Sequence, residues 1–175
     1  LSDNTAFITG ANIAVNAALN AAGQTLTLTG GNGGTVSGDG NITAADLLLN
    51  GSGTTYALNT ATGNNVGTLA ASTGSGNIRF YNSTSMTIGS VAGVNGINTT
   101  GSNSGLVDVQ TLTNNLTLSQ NITTENTTSS AVILNADRNA GLTVAGTGGN
   151  ILISGTRTIS TGTGGIAKLY TGSVS

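Results

Sequence analysis

The sequence predicts an all-β protein, a parallel β-helix (β-solenoid) with coils of about 20 residues, and three observations point there. Apolar residues alternate with Thr, Ser or Asn over short stretches, the period of a half-buried strand. Apolar pairs recur along the chain: Leu26/Leu28, Leu47/Leu49 and Val66/Leu69 at steps of about 20 residues, then Leu116/Leu118, Val132/Leu134 and Ile151/Ile153 at roughly 16 to 19. The 175 residues include 28 Gly, 31 Thr, 22 Asn and 17 Ser but no Pro, so turns are plentiful and no residue lacks a backbone N–H for a ladder.

Each strand is justified by its own alternation. Thr25-Leu26-Thr27-Leu28-Thr29 is the clearest, and Gly30-Gly31-Asn32-Gly33-Gly34 ends it. Thr43-Ala44-Ala45-Asp46 reads as a single helical turn, whereas Asp46-Leu47-Leu48-Leu49 reads equally well as strand. Asn50-Gly51-Ser52-Gly53 and Gly74-Ser75-Gly76-Asn77 mark the next corners. Further strands are expected at Leu106-Val107-Asp108-Val109, Leu116-Thr117-Leu118-Ser119, Leu142-Thr143-Val144, Asn150-Ile151-Leu152-Ile153-Ser154 and Ile166-Ala167-Lys168-Leu169-Tyr170. Coils stacked at about 4.8 Å would use every ladder N–H, place Gly and Asn at corners and let corner amides stack; eight or nine of them make a rod on the order of 40 Å. Residues 1–175 are therefore read as a single β-helical segment of a longer repeat array or fibre.

Composition narrows the chemistry. Cys and His are absent, which removes thiol nucleophiles, imidazole bases and ordinary zinc or haem sites. Six acids against four bases give a net charge of −2 and no basic patch for nucleic acid. No apolar run is long enough for a transmembrane helix. The N-terminal LSDNTAFITG has neither the cationic region nor the apolar stretch of a signal peptide, and no initiator Met, as expected of a processed product or internal fragment. An immunoglobulin-like sandwich lacks its core aromatics here, and an outer-membrane barrel its aromatic girdles.

Two stretches carry a family resemblance. Gly63-Asn64-Asn65-Val66-Gly67-Thr68-Leu69-Ala70-Ala71 through Met86-Thr87-Ile88-Gly89-Ser90-Val91-Ala92-Gly93-Val94-Asn95-Gly96-Ile97-Asn98-Thr99-Thr100-Gly101 resembles the repeat region of filamentous-haemagglutinin-type exoproteins, the large adhesins of two-partner secretion in Gram-negative bacteria. Val107-Asp108-Val109 with Asn115-Leu116-Thr117-Leu118-Ser119 is similar to the next repeat of such proteins, and the likeness runs through Ile151-Leu152-Ile153-Ser154-Gly155, covering roughly residues 40 to 170. It implies a right-handed parallel β-helix outside the cell, serving adhesion, aggregation or biofilm. The family's secretion domain carries Asn-Pro motifs; with no Pro, this chain is similar to the shaft instead.

Candidate sites are few. No catalytic, cofactor-binding or metal-binding residue is singled out and no cofactor is expected. The acids Asp3, Asp39, Asp46, Asp108, Glu125 and Asp137 read as scattered solubilising charges, although a β-helix polysaccharide lyase or hydrolase would stack two or three carboxylates on neighbouring coils. Ser37-Gly38-Asp39-Gly40 has a single Asp, too little for a calcium-binding nonapeptide array. Thr25/Thr27/Thr29, Thr111/Thr113, Thr156/Thr158 and Thr161/Thr163 raise ice binding, but they do not recur at one fixed coil position. Tyr56, Phe80, Tyr81 and Tyr170 are assigned to core or corner packing ahead of a sugar-stacking platform. Asn-X-Ser/Thr sequons at Asn41, Asn50, Asn82, Asn98, Asn115, Asn121 and Asn126 are candidates for glycosylation, at the frequency composition alone gives.

The function expected is that of a secreted, non-enzymatic β-helical shaft of a haemagglutinin-like adhesin or surface filament. The alternatives are a carbohydrate-active β-helix enzyme and an ice- or glycan-binding solenoid. Expected partners are flanking coils or further copies of the chain and cell-surface or matrix glycans, with no nucleic acid and no membrane insertion. Uncapped strand edges at both ends favour such assembly.

Overall fold

Alternating Thr-Leu-Thr-Leu segments bury one face only if a partner strand continues that face, and each coil supplies it for the next. The computed structural model describes residues 5–101, 104–138 and 149–172. Leu142-Thr143-Val144 and Asp3 lie outside them. The first four coils contribute β1 (Thr5–Gly10) and β2 (Ile13–Ala14), β3 (Leu19–Gly30) and β4 (Thr35–Ser37), β5 (Ile42–Asn50) and β6 (Thr55–Leu58), then β7 (Asn65–Ser72) and β8 (Ile78–Asn82). The fifth carries β9 (Met86–Ile88), a hairpin of β10 (Ser90–Val91) and β11 (Val94–Asn95), β12 (Ile97–Thr99) and β13 (Val107–Thr111). The last two carry β14 (Leu116–Leu118), β15 (Ile122–Thr124) and β16 (Val132–Asn135), then β17 (Ile151–Ile153), β18 (Ile159–Ser160) and β19 (Ala167–Tyr170).

These strands form two parallel sheets, and the only antiparallel pair among the described residues is the β10–β11 hairpin. The first sheet holds ten strands, including β1, β3, β5 and β7; the second runs in the order β19-β16-β13-β8-β6-β4-β2. The chain is thus a β-solenoid with coils of about 23 residues and about six turns. Six steps of about 4.8 Å give a stack roughly 30 Å tall, shorter than expected.

The overcount has a clear cause. Leu118 pairs directly with Ile153, whereas Val132 and Leu134 pair with Val107 and Val109 in the other sheet. Each coil has an inward pair on both faces, so a search for recurring pairs mixed two ladders and halved the late repeat. Thr43–Asp46 is strand within β5, because Thr43 and Ala44 pair with Asn20 and Ala21 below and Asn65 and Val66 above.

Inward side chains stack in columns. One runs Ala6, Leu26, Leu47, Leu69, Ile88, Leu118, Ile153; another on the opposite sheet runs Ile13, Val36, Tyr56, Ile78, Val107, Val132, Ala167. From Leu26 to Leu118 and from Val36 to Val132 these residues are buried, forming one continuous, largely aliphatic core. Burial of that apolar surface, at about 25 cal/mol per Å², is the main stabilising contribution in a chain with so little charge.

Corners are closed by asparagine, though not by the amide-on-amide stacking expected. Asn12, Asn41, Asn77, Asn115 and Asn121 each accept a backbone N–H from the following coil through Oδ1, at Thr35, Gly63, Leu106, Asn150 and Thr158 respectively. Asn64 accepts from Ile42 of the preceding coil, and Asn82 from Val66 at the start of its own coil. The side chain thereby stands in for a ladder carbonyl where the backbone turns away. Glycine serves where coils approach most closely: a Cβ on Gly76 would run into the Thr54 carbonyl oxygen, and one on Gly105 into that of Gly76.

Coil five departs from its neighbours. β7 is one unbroken strand, yet it pairs with both β9 and β12, because residues 89–96 loop out between Ile88 and Ile97. The loop is a hairpin whose tip residues, Ala92 and Gly93, have φ of 49° and 84°, as a type I′ turn requires. Its Val91, with Val94 alongside, covers Leu48 and Ala70, which face outward from β5 and β7. A small second core is thus built on the outside of the first sheet.

Candidate interaction faces

Side-chain chemistry is concentrated on the outer face of the second sheet. Alternation turns Val107, Val109 and Thr111 inward, leaving Asp108 and Gln110 to face out beside Arg79 and Tyr81 of β8 and Ile133 and Asn135 of β16. Asp108 is nevertheless only 6% exposed and Gln110 7%. The Tyr81 hydroxyl donates to Asp108 Oδ2 at 3.1 Å, and Gln110 Nε2 donates to Asp108 Oδ1 at 2.6 Å and to the Tyr81 hydroxyl at 3.3 Å. The Arg138 guanidinium sits 4.5 Å from the centre of the Tyr81 ring. Burial first, and the adjoining Asp108 charge second, push the Tyr81 phenol above its ordinary value, with Arg138 opposing them. Gln110 Oε1 is buried and finds no partner among the described residues. Towards β4 and β6 this face opens into a shallow trough of about 730 Å³ lined by Asn16, Ser37, Asp39, Ala57, Asn59 and Thr60.

The aromatic residues separate into two pairs. Tyr56 and Phe80 are fully buried in the core. The Tyr56 hydroxyl lies 2.7 Å from the Leu28 carbonyl oxygen and 2.5 Å from that of Asn50, its one hydrogen shared between them, and accepts the Gly30 N–H. Burial raises its pKa. Tyr81 and Tyr170 both face outward in the column Tyr81–Gln110–Asn135–Tyr170, three rungs or about 14 Å apart. Two rings at that spacing do not make a continuous stacking surface.

The acids are distributed. Asp39 follows β4, Asp46 lies within β5, Glu125 follows β15 and Asp137 follows β16, while among the described residues Asp108 is the one buried acid. Among the described residues no group of three His, Cys, Asp or Glu is placed to hold a metal ion.

The threonines require a correction. Pairing brings Thr5, Thr25, Thr68, Thr87 and Thr117 into one outward column on the first sheet, interrupted by Asp46 and ended by Leu152. A fixed coil position does therefore carry Thr; uneven coil lengths hid it. The neighbouring column reads Phe7, Thr27, Leu48, Ala70 and is then covered by the β10–β11 hairpin. The flat two-rank threonine surface of an ice-binding solenoid is not formed there.

The sequons fall into different settings. Asn82 is fully buried; its Nδ2 points to the carbonyl oxygens of Val66, Thr84 and Ser85 at 3.0, 3.1 and 3.3 Å. In the folded chain that nitrogen is enclosed by the corner. Asn98 and Asn126 each accept both the N–H and the hydroxyl of their own sequon threonine, Thr100 and Thr128. Asn41 and Asn121 are exposed, and Asn50 and Asn115 are half-buried.

What the geometry defines is a parallel β-solenoid with an apolar core, amide-sealed corners and two chemically different outer faces. No protein-family model, curated protein or solved structure matches the chain.

Proposed function

We propose that this chain is a stretch of the β-solenoid shaft of a secreted adhesive filament, of the filamentous-haemagglutinin type that residues 40–170 resemble. The observation that carries the reading is the continuity of the stack. Three inward columns, headed by Ala6, Ile8 and Ile13, run from the first coil to the last. Such a stack resists bending because parallel ladders and a buried apolar core run along it. Its work is mechanical, to hold binding regions away from the cell surface or to knit a matrix. The largely uncharged Thr, Ser and Asn exterior of the first sheet suits close packing against neighbouring shafts.

Immunogold labelling of intact source cells with antibody against the chain tests the reading. Gold along extracellular filaments, lost from cells in which the segment is deleted in frame, is expected. Labelling confined to the cell interior overturns it.

A further inference from the structure

The four cations of this protein are Arg79, Arg138, Arg157 and Lys168. Three of them are engaged. Arg138 lies over the Tyr81 ring, Arg157 Nε donates to the Ser154 carbonyl at 3.1 Å, and Lys168 Nζ donates to the Ser130 hydroxyl at 2.9 Å. Arg79 is different. It is half-buried within β8, and its guanidinium has no hydrogen bond or ion pair among the described residues. The acid next to it in the ladder is Asp108 on β13, but the Asp108 oxygens are occupied by Tyr81 and Gln110.

On its other side Arg79 adjoins the trough of the second sheet. The outward column there reads Ser37, Ala57, Arg79, so Arg79 stands one rung, about 4.8 Å, above Ala57. Ala57 reaches little beyond its Cβ and leaves a floor, round which Ser37, Asp39, Asn59 and Thr60 supply hydroxyl, carboxylate and amide groups. The Thr60 hydroxyl donates to the Gly38 carbonyl at 2.7 Å and ties the third coil to the second at this wall. The volume of about 730 Å³ is within the range of small-molecule sites, ~300–1,000 Å³. These residues come from the second, third and fourth coils and lie on the side of the stack, so their exposure does not depend on what adjoins either end.

The groups present select the ligand. No large apolar side chain lines the trough, so nothing there anchors the apolar side chains of a peptide. Hydroxyl, amide and carboxylate groups instead match the hydroxyls of a sugar, which both donate and accept. Ionised Asp39 only accepts, and a sugar hydroxyl satisfies it by donating. Arg79 only donates, keeps its charge at any working pH and forks onto a carboxylate. The two belong to the second and fourth coils, two rungs or about 10 Å apart along the stack. An occupant complementary to both presents hydroxyls at one end and a carboxylate at the other.

We infer that the trough beside Ala57 binds an acidic polysaccharide, with Arg79 pairing the carboxylate of a uronic acid residue and Ser37, Asp39, Asn59 and Thr60 holding hydroxyls. The binding is non-covalent. It goes beyond the shaft reading and stands apart from it: a shaft works by stiffness, whereas this trough makes one side of it adhesive.

Fluorescence anisotropy with the 175-residue chain tests the inference, using three end-labelled probes: oligogalacturonate, the same oligosaccharide as its methyl ester, and oligoglutamate as an acidic peptide. Oligogalacturonate should bind, more weakly as salt is raised from about 0.05 to 0.5 M, and the uncharged ester should bind about tenfold less tightly. Arg79→Gln removes a charge that no described group uses; it should weaken oligogalacturonate about tenfold and leave the ester unchanged. Ala57→Phe, at an outward half-buried position, should fill the floor and abolish binding of both sugars, with the fold checked by far-UV circular dichroism. Asn59→Ala, which keeps the floor open, should weaken both. Failure of oligogalacturonate to bind the folded chain, equal binding of the ester or of oligoglutamate, or full affinity in Arg79→Gln or in folded Ala57→Phe overturns the inference and leaves the shaft reading intact. Intracellular labelling in the immunogold experiment overturns the shaft reading and leaves the sugar-binding trough standing.

Discussion

Asn82→Ala is the most informative single change in this fold, because one side chain there closes two coils. Asn82 Oδ1 accepts the Val66 N–H at 2.9 Å, and its Nδ2 returns a bond to the Val66 carbonyl at 3.0 Å. Asn82 and Val66 are both fully buried, so neither Val66 group can turn to water after the substitution. A buried polar group left without a partner costs about 1–3 kcal/mol, and two are left here. With relaxation at the corner, a loss of about 2–4 kcal/mol is expected. At a chain length of 175 residues that lowers the unfolding midpoint by roughly 4–15 °C. Urea and thermal unfolding followed by far-UV circular dichroism measure it, with Asn98→Ala as the control. Asn98 is exposed and its side chain bonds to its own Thr100, so loss of that side chain should stay within about 0.5 kcal/mol. Equal, small effects at both positions would refute the claim that corner amides replace ladder carbonyls.

Tyr56→Phe removes the hydroxyl shared by Leu28, Asn50 and Gly30 and should cost about 1–3 kcal/mol at neutral pH. Burial raises the folded pKa of Tyr56 above its ordinary value of 10.0, so the stability it contributes is full below that value and falls away as pH climbs through the higher folded one; a pH series of urea midpoints should show a shallower alkaline fall in Tyr56→Phe. Gly105→Ala places a Cβ against the Gly76 carbonyl and should destabilise by about 2 kcal/mol or more, read from the urea midpoint, whereas Gly155→Ala meets nothing and costs only its left-handed backbone, about 1 kcal/mol. Val91→Asp uncovers Leu48 and Ala70 without touching the main core; hydrogen exchange should speed up in residues 90–95 while β3 and β13 keep their protection.

The sequence was most legible where the chain alternates regularly. The Thr25–Thr29, Leu47–Leu49, Leu116–Leu118 and Ile151–Ile153 strands all lie where their side chains put them, inside β3, β5, β14 and β17. What alternation does not encode is which of two sheets a strand joins. Val132/Leu134 looked like a member of the Leu116/Leu118 series because both faces of a coil use the same pattern, and only the pairing with Val107 and Val109 separates them. The Thr5–Thr117 column was missed because the coils that carry it differ in length. The outer cluster of Tyr81, Asp108, Gln110 and Arg138 was equally hidden: Tyr81 and Gln110 are adjacent in space through parallel pairing across a coil of nearly thirty residues, a distance at which sequence shows no local signal. Asn82 shows the limit from the other side. Asn-Ser-Thr is a sequon by composition, but burial is a tertiary property.

Coil length is free in this architecture, and that freedom locates its chemistry. The inward columns demand only that a Leu, Ile or Val arrive at the right place in each turn; how many residues intervene at a corner is not constrained by the core. Residues 89–96 illustrate it, inserted between Ile88 and Ile97 while Leu69 and Ala71 below them keep both as partners. The insertion covers an apolar patch of its own and leaves its tip, Ala92 and Gly93, exposed. Loop entropy grows slowly with length, so each added residue at such a corner costs little. A change in the columns, by contrast, is felt by the coils on either side. Variation that alters what a shaft touches therefore has its cheapest route through corners and outer faces, and variation in the Leu26–Ile153 column is the kind the fold tolerates least.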